Sequence, residues 1–231
     1  MKELEPAMLS TMNLDEAMRD RRSVRGFLPK PVPQEILHEV FELAQHAPSN
    51  CNVQPWRVFV ASGAVRDELS SRLVKATHEA IAKGGAGLRV FRFEDDYRRL
   101  QIECAVELYE QMGVARDDQE GRVRGIVRNY ELFDAPHVAI ICMEKVFDIS
   151  VALDVGMYMQ NLLLALWSRG IAACPQAALT AHEEISRELL GIPDNLQLLC
   201  GISFGYEDKD VPANRTRQKR EPIERNVFFI G

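Results

Sequence analysis

Several common catalytic signatures are missing from this 231-residue chain. No G-x-G-x-x-G run offers a Rossmann nucleotide site, and no Walker A loop is present. No H-E-x-x-H pair and no clustered His/Cys spacing suggests a metal centre. A nucleophile elbow of the G-x-S-x-G type is not expected either. The five histidines, at 38, 46, 78, 137 and 182, are scattered and read as surface or internally satisfied residues. The five cysteines show no C-x-x-C spacing and an odd count, which points to a reducing, cytoplasmic setting rather than a disulfide framework. Cys51 and Cys174 lie in ligand-loop segments, but neither has a sequence neighbour that would make it a reactive thiol. Long apolar runs are scarce. The longest, Leu162 to Trp167, is far short of the ~20 residues a membrane span needs, and the N-terminus carries Glu3 and Glu5 rather than a signal-peptide core. A net charge of −6 argues against general nucleic-acid binding.

The positive charge that is present is clustered. Arg21-Arg22-Ser23-Val24-Arg25 places three guanidinium groups and a hydroxyl within five residues. In an extended segment residues 21, 23 and 25 share one side, which suits an anion such as phosphate. Taken alone, the run reads more readily as a solvated basic turn than as a ligand site. A second cluster, Asn214 to Pro222, holds four cations in six residues and is followed by the apolar run Val227 to Ile230. Such a run is expected to be docked as a strand rather than frayed. Between the clusters, Ala47 to Trp56 is a loop rich in neutral amides. Ser49, Asn50, Asn52 and Gln54 offer donors and acceptors for a flat heterocycle, and Pro48 and Pro55 stiffen the loop.

The rest alternates helical and strand-like patterns. Helices are expected over 14–21, with Asn13 as cap, and over 33–46, 65–83, 96–112, 118–129, 149–169 and 181–190. Strands are expected over 56–61, 136–143, 196–204 and 226–230. The helix from Ile149 is apolar on nearly every side and is expected to be buried all round, as a central helix or a subunit interface. Mixed helices and about four short strands predict an α+β fold.

Taken in order, Arg21 to Arg25, Ala47 to Trp56, Cys174-Pro175-Gln176-Ala177-Ala178 and Arg217 to Pro222 make the chain similar to the FMN-dependent nitroreductase family, especially its nitroaromatic and nitrobenzoate-reducing branch. The resemblance covers nearly the whole chain. It implies one domain over residues 1–231, with a central mixed sheet wrapped by helices. It implies an intertwined homodimer whose C-terminal strand joins the partner's sheet, and a helical cover insertion at roughly 84–130. It also implies that FMN carries the chemistry, with NADPH or NADH as donor and small nitroaromatic or quinone-like acceptors taking turns at one open face, hence ping-pong kinetics. No catalytic side chain, nucleic acid or membrane partner is implied.

By the same resemblance, Arg21, Ser23 and Arg220 hold the FMN phosphate, assisted by Arg217 or Lys219, and Arg22 braces that pocket. Arg25 points toward the pyrimidine edge of the ring. Pro48, Ser49, Asn50 and Asn52 reach the flavin from the other subunit, with Gln54 close by, and Pro175, Gln176 and Ala177 lie near its reactive side. Two positions depart from the common pattern: Gln176-Ala177 where many relatives have Glu-Gly, and Gln218 where many have Lys. Relatives on the same fold that dehalogenate, cleave flavin or reduce enones are the alternatives, along with a non-catalytic flavin-binding protein.

Overall fold

A computed structural model describes residues 12–85, 87–88 and 91–231. Its centre is β2 (His137–Glu144), an eight-residue strand buried along almost its whole length. Alternation of side chains divides β2 between two cores. Ala139, Ile141 and Met143 face one core. Val138, Ile140 and Cys142 face the other. The sheet is therefore a middle layer, and both faces must be covered by helices.

β2 pairs antiparallel with β1 (Arg57–Ser62) on one side and with β4 (Leu196–Gly205) on the other, and β4 pairs antiparallel with β3 (Ala172–Gln176). The order is β1-β2-β4-β3. All the pairings between named strands are antiparallel. Parallel character enters through an isolated bridge between Ser23 and Ala173. β3 lies at the sheet edge, where Pro175 can sit in a strand without an N–H to donate.

On the first face lie α2 (Gln34–Ala44) and α6 (Ile149–Trp167), which pack on each other through Val40, Val155, Tyr158 and Leu162. Trp56 stacks on Tyr158 with ring centres 4.9 Å apart and donates Nε1–H to Gln45 Oε1 at 2.7 Å. On the second face, α3 (Gly63–Ala82) and α7 (Glu183–Leu190) cover the sheet with Leu69, Leu73 and Ile185. The short α1 (Leu14–Asp20) packs on α6. Its start is a capping box: Asn13 and Glu16 each satisfy the other's backbone N–H. A helical hairpin of α4 (Asp95–Gln111) and α5 (Gln119–Tyr130) joins α3 to β2.

In the single chain four expectations read differently. The α6 helix is not buried all round, because Ile149, Leu153 and Met157 are exposed while Val155, Tyr158, Leu162 and Leu166 are covered. By length and composition α6 is also apolar enough to cross a membrane, which the short run from Leu162 understated; here its covered residues belong to the core and it carries buried Asp154. Finally, residues 226–230 form no strand in this chain. Phe228, Phe229 and Ile230 are exposed, since a strand exists only where a neighbour accepts its hydrogen bonds. The fourth strand is instead β3, a segment expected to be a loop.

Candidate functional site

The segment 21–25 is non-helical and bridges Ala173 in parallel through Ser23. Val24 is fully buried, and its N–H donates to Ala173 O at 3.1 Å. Arg21, Ser23 and Arg25 face a cavity of about 1330 Å³. Arg217, Gln218, Lys219 and Arg220 line the same cavity from the C-terminal arm, and Leu100, Glu103, Cys104 and Glu107 of α4 close it opposite. Two cationic clusters nearly two hundred residues apart thus converge.

Asn214 makes the convergence rigid. It is 4% exposed. Its Oδ1 accepts the Arg25 N–H at 2.6 Å, while its Nδ2 donates to Gly26 O at 2.9 Å and to Asp208 O at 2.7 Å. Gly26 permits this approach: a Cβ there would lie 2.5 Å from Val211 Cγ2. Asn214 was legible only as the first residue of a basic stretch. Its staple joins residues far apart in sequence and leaves no local signal.

Arg22 behaves differently from its neighbours. Its guanidinium pairs with Glu207 at 2.5 Å and lies 5.1 Å from the Trp167 ring centre. It lines the cavity but spends its charge on a carboxylate, as a brace would. Among the described residues, Arg21, Arg25, Arg217, Lys219 and Arg220 form no ion pair. Burial, and then the nearby Arg220 guanidinium, push Arg21 below its ordinary pKa. A half-buried cation held against a like charge is costly unless an anion joins it.

The amide loop does not line this cavity in the single chain. It is exposed, with Cys51, Asn52 and Gln54 all at positive φ, between 47° and 55°. Such backbone is strained for residues with a Cβ and must be held by its surroundings. Ser49 Oγ accepts the Gln54 N–H at 3.0 Å, Gln54 Nε2 donates to Asn52 O at 3.1 Å, and the Asn50 N–H reaches buried Asp154 Oδ2 at 3.0 Å. Pro48 precedes the turn and is exposed. The loop is thus a hydrogen-bonded projection in which Asn50, Asn52 and Gln54 are exposed.

Pro175, Gln176 and Ala177 close β3 and open the following turn. They adjoin the arginine segment through the Ser23–Ala173 bridge. The Gln176 side chain is turned inward: Oε1 accepts from Ser203 Oγ at 2.5 Å and Nε2 donates to Asn129 O at 2.7 Å. Pro175 and Ala177 stay half-buried, and none of the three lines the cavity in the single chain.

The string G-x-S-x-G does occur, at Gly201-Ile202-Ser203-Phe204-Gly205, contrary to expectation. It lies inside β4 with no turn, and Ser203 is fully buried, so it presents no nucleophile. The contact between Ser62 Oγ and His137 Nδ1, 2.5 Å, is likewise no catalytic pair. His137 Nε2 accepts the Val32 N–H at 2.9 Å, so in neutral imidazole Nδ1 carries the proton and Ser62 receives it. Burial raises the Cys174 thiol to about 11, leaving it protonated, while Cys51 is exposed. Among the described residues no cluster of three metal-ligating side chains exists.

The Nitroreductase family model matches residues 18–206, and the chain belongs to that family. The chain is 38% identical to the nitroreductase NfnB of Mycolicibacterium smegmatis over 215 residues, covering 93% of this chain and 92% of that protein. It is 34% identical to a 4-nitrobenzoate reductase of Nocardioides sp., covering 94% and 89%. Its fold superposes, with a TM-score of 0.87 and 37% identity, on the crystal structure of the FMN-dependent nitroreductase NfnB from Mycobacterium smegmatis in complex with NADPH, covering 94% of this chain and 97% of that one.

Proposed function

We propose that this protein is an FMN-dependent oxidoreductase that uses NADPH or NADH to reduce nitroaromatic or quinone-like acceptors. The observation that carries the proposal is the convergence on one cavity of Arg21, Arg25, Arg217, Lys219 and Arg220, whose side chains form no ion pair among the described residues, although Glu107 accepts the Arg217 backbone N–H. That donor set fits a phosphate monoester. FMN would supply two-electron redox chemistry.

The chain's own residues bind and orient. Arg21, Ser23 and Arg220 hold the phosphate with help from Arg217 or Lys219, and Arg22 braces them through Glu207. Arg25, its backbone fixed by Asn214, offers positive charge to the ring where electron density gathers on reduction. Pro175 to Ala177 present mostly backbone to the ring, and a small, flat lining leaves one face open. Donor and acceptor then use that face in turn, which gives ping-pong kinetics.

The amide loop, Pro48 to Gln54, is read as serving the flavin of a second subunit, because it is rigid, strained and exposed away from its own chain's cavity. Exposed Ile149, Leu153 and Met157, together with the apolar arm at 227–230, supply area for such a homodimer. The segment 84–130 is read as the cover over the acceptor. Free cysteines fit a cytoplasmic setting.

A purified sample tests the proposal. The expected protein is yellow, bleaches with NADPH under anaerobic conditions and regains colour with 4-nitrobenzoate. A colourless protein that takes up no FMN on reconstitution overturns it.

A further inference from the structure

The end of α5 is held with unusual care. Three successive carbonyls at its C-terminus are each taken by a side chain from elsewhere. Gln176 Nε2 donates to Asn129 O at 2.7 Å, Ser70 Oγ to Tyr130 O at 3.1 Å and Arg66 to Glu131 O at 3.0 Å. The chain then passes through Leu132, Phe133 and Asp134, all at positive φ of 54° to 65°. A left-handed turn of three residues with Cβ atoms persists only where its surroundings impose it. Leu132 and Phe133 are buried, Phe133 O accepts the Phe27 N–H at 3.1 Å, and Arg128 bridges Glu131 and Asp134 at 2.7 and 2.6 Å. The hairpin of α4 and α5 therefore leaves the body of the protein at a fixed point.

Ser70 and Arg66 come from α3, but Gln176 comes from the strand that carries the arginine segment. It is the one contact of the three that ties the hairpin to the site. Both ends of its amide are used, one on Ser203 of β4 and one on Asn129 of α5. A carboxylate of the same shape has no N–H to give, and it would set a negative oxygen against a carbonyl at a helix C-terminus, which already carries partial negative charge.

We propose that Gln176 is a positioning residue: its buried amide registers the helical cover against the flavin-side strand and so sets the fit of the acceptor. This rests on the reading of residues 84–130 as the cover in the proposed function.

The test uses the full-length FMN-loaded protein with Gln176→Glu and the uncharged Gln176→Met. At about pH 8, amide hydrogen exchange in residues 119–130 is expected to quicken about tenfold in both, as one buried hydrogen bond is lost, and the KM for 4-nitrobenzoate to rise by a similar factor with a smaller change in kcat. On lowering the pH to about 5.5, the buried carboxylate introduced by Gln176→Glu gains a proton and can again donate to Asn129 O. Gln176→Glu then recovers slow exchange and low KM relative to wild type at the same pH, while Gln176→Met does not. Unchanged exchange in both variants, or identical behaviour of the two at both pH values, overturns the proposal. If the wild-type protein fails to reduce nitro compounds, the functional reading falls, yet the exchange measurement still decides whether Gln176 holds the hairpin.

Discussion

The arginines of the helical hairpin and those of the cavity make an instructive pair. On α4 and α5, Arg99 reaches Glu103 at 2.9 Å and Glu221 at 3.2 Å, and Arg128 reaches Glu131 and Asp134. Elsewhere on the surface Arg72 meets Glu188 at 2.6 Å. These pairs raise the pKa of Arg72 and Arg99, first through hydrogen bonds to the carboxylates. In the cavity Arg21 moves the opposite way, lowered by burial and by Arg220. The same side chain serves as local surface stabilisation in one region and as stored repulsion in the other. Stored repulsion has a use only if an anion arrives.

Removing the repulsion should therefore separate folding from binding. The largest effect is expected for Arg21→Ala combined with Arg220→Ala. FMN affinity should fall about a hundredfold or more, since each charge-assisted contact to phosphate is worth roughly 1.5–3 kcal/mol. The same double variant, stripped of FMN, should melt no lower than stripped wild type. Titration of flavin fluorescence and apo-protein melting read the two halves, and a large loss of apo stability with retained flavin would reverse the comparison.

Gly26→Ala should come next. The added Cβ collides with Val211, must push apart the segments that Asn214 staples, and is expected to destabilise by about 1–3 kcal/mol while weakening FMN by about tenfold. Denaturant unfolding and flavin titration check it together. Preserved stability with weakened flavin would show that the segment shifts without strain.

A third expectation uses pH to isolate the frame from the charges. Burial lowers the His137 pKa from 6.5, so its native state favours the neutral ring. Its contribution to stability is complete above the ordinary histidine value and is lost as pH falls toward the lowered folded value. Unfolding free energy should thus decline below about pH 6.5, where no arginine titrates, and His137→Gln should flatten that slope. The smallest effect is expected for Arg72→Ala, an exposed pair remote from the cavity: little change in melting temperature and none in FMN affinity. A flavin loss comparable to that of the cavity variants would erase the distinction between the two regions.

Sequence patterns revealed parts of this arrangement unevenly. The α2 helix was legible because Leu37, Val40 and Ala44 recur on one buried face. The cationic clusters were legible because they stand out in an acidic chain. β3 was not, since Ala-Ala-Cys-Pro-Gln has little strand propensity and Pro175 argues against a central strand; its edge position, a tertiary fact, reconciles the two. The exposed residues of α6 were hidden for the opposite reason, since an apolar side chain does not disclose whether its cover comes from its own chain. Asn214 and Glu207 carried no sequence signal, because their roles depend on partners 185 to 189 positions away.

The C-terminal arm places the cavity cations, from Arg217 to Arg220, a few residues before the bare apolar run ending in Phe228, Phe229 and Ile230. If the proposed roles hold, cofactor capture and subunit pairing share one stretch of peptide. On that reading, one cut ahead of Arg217 is expected to abolish both at a stroke while leaving the sandwich of helices and sheet intact.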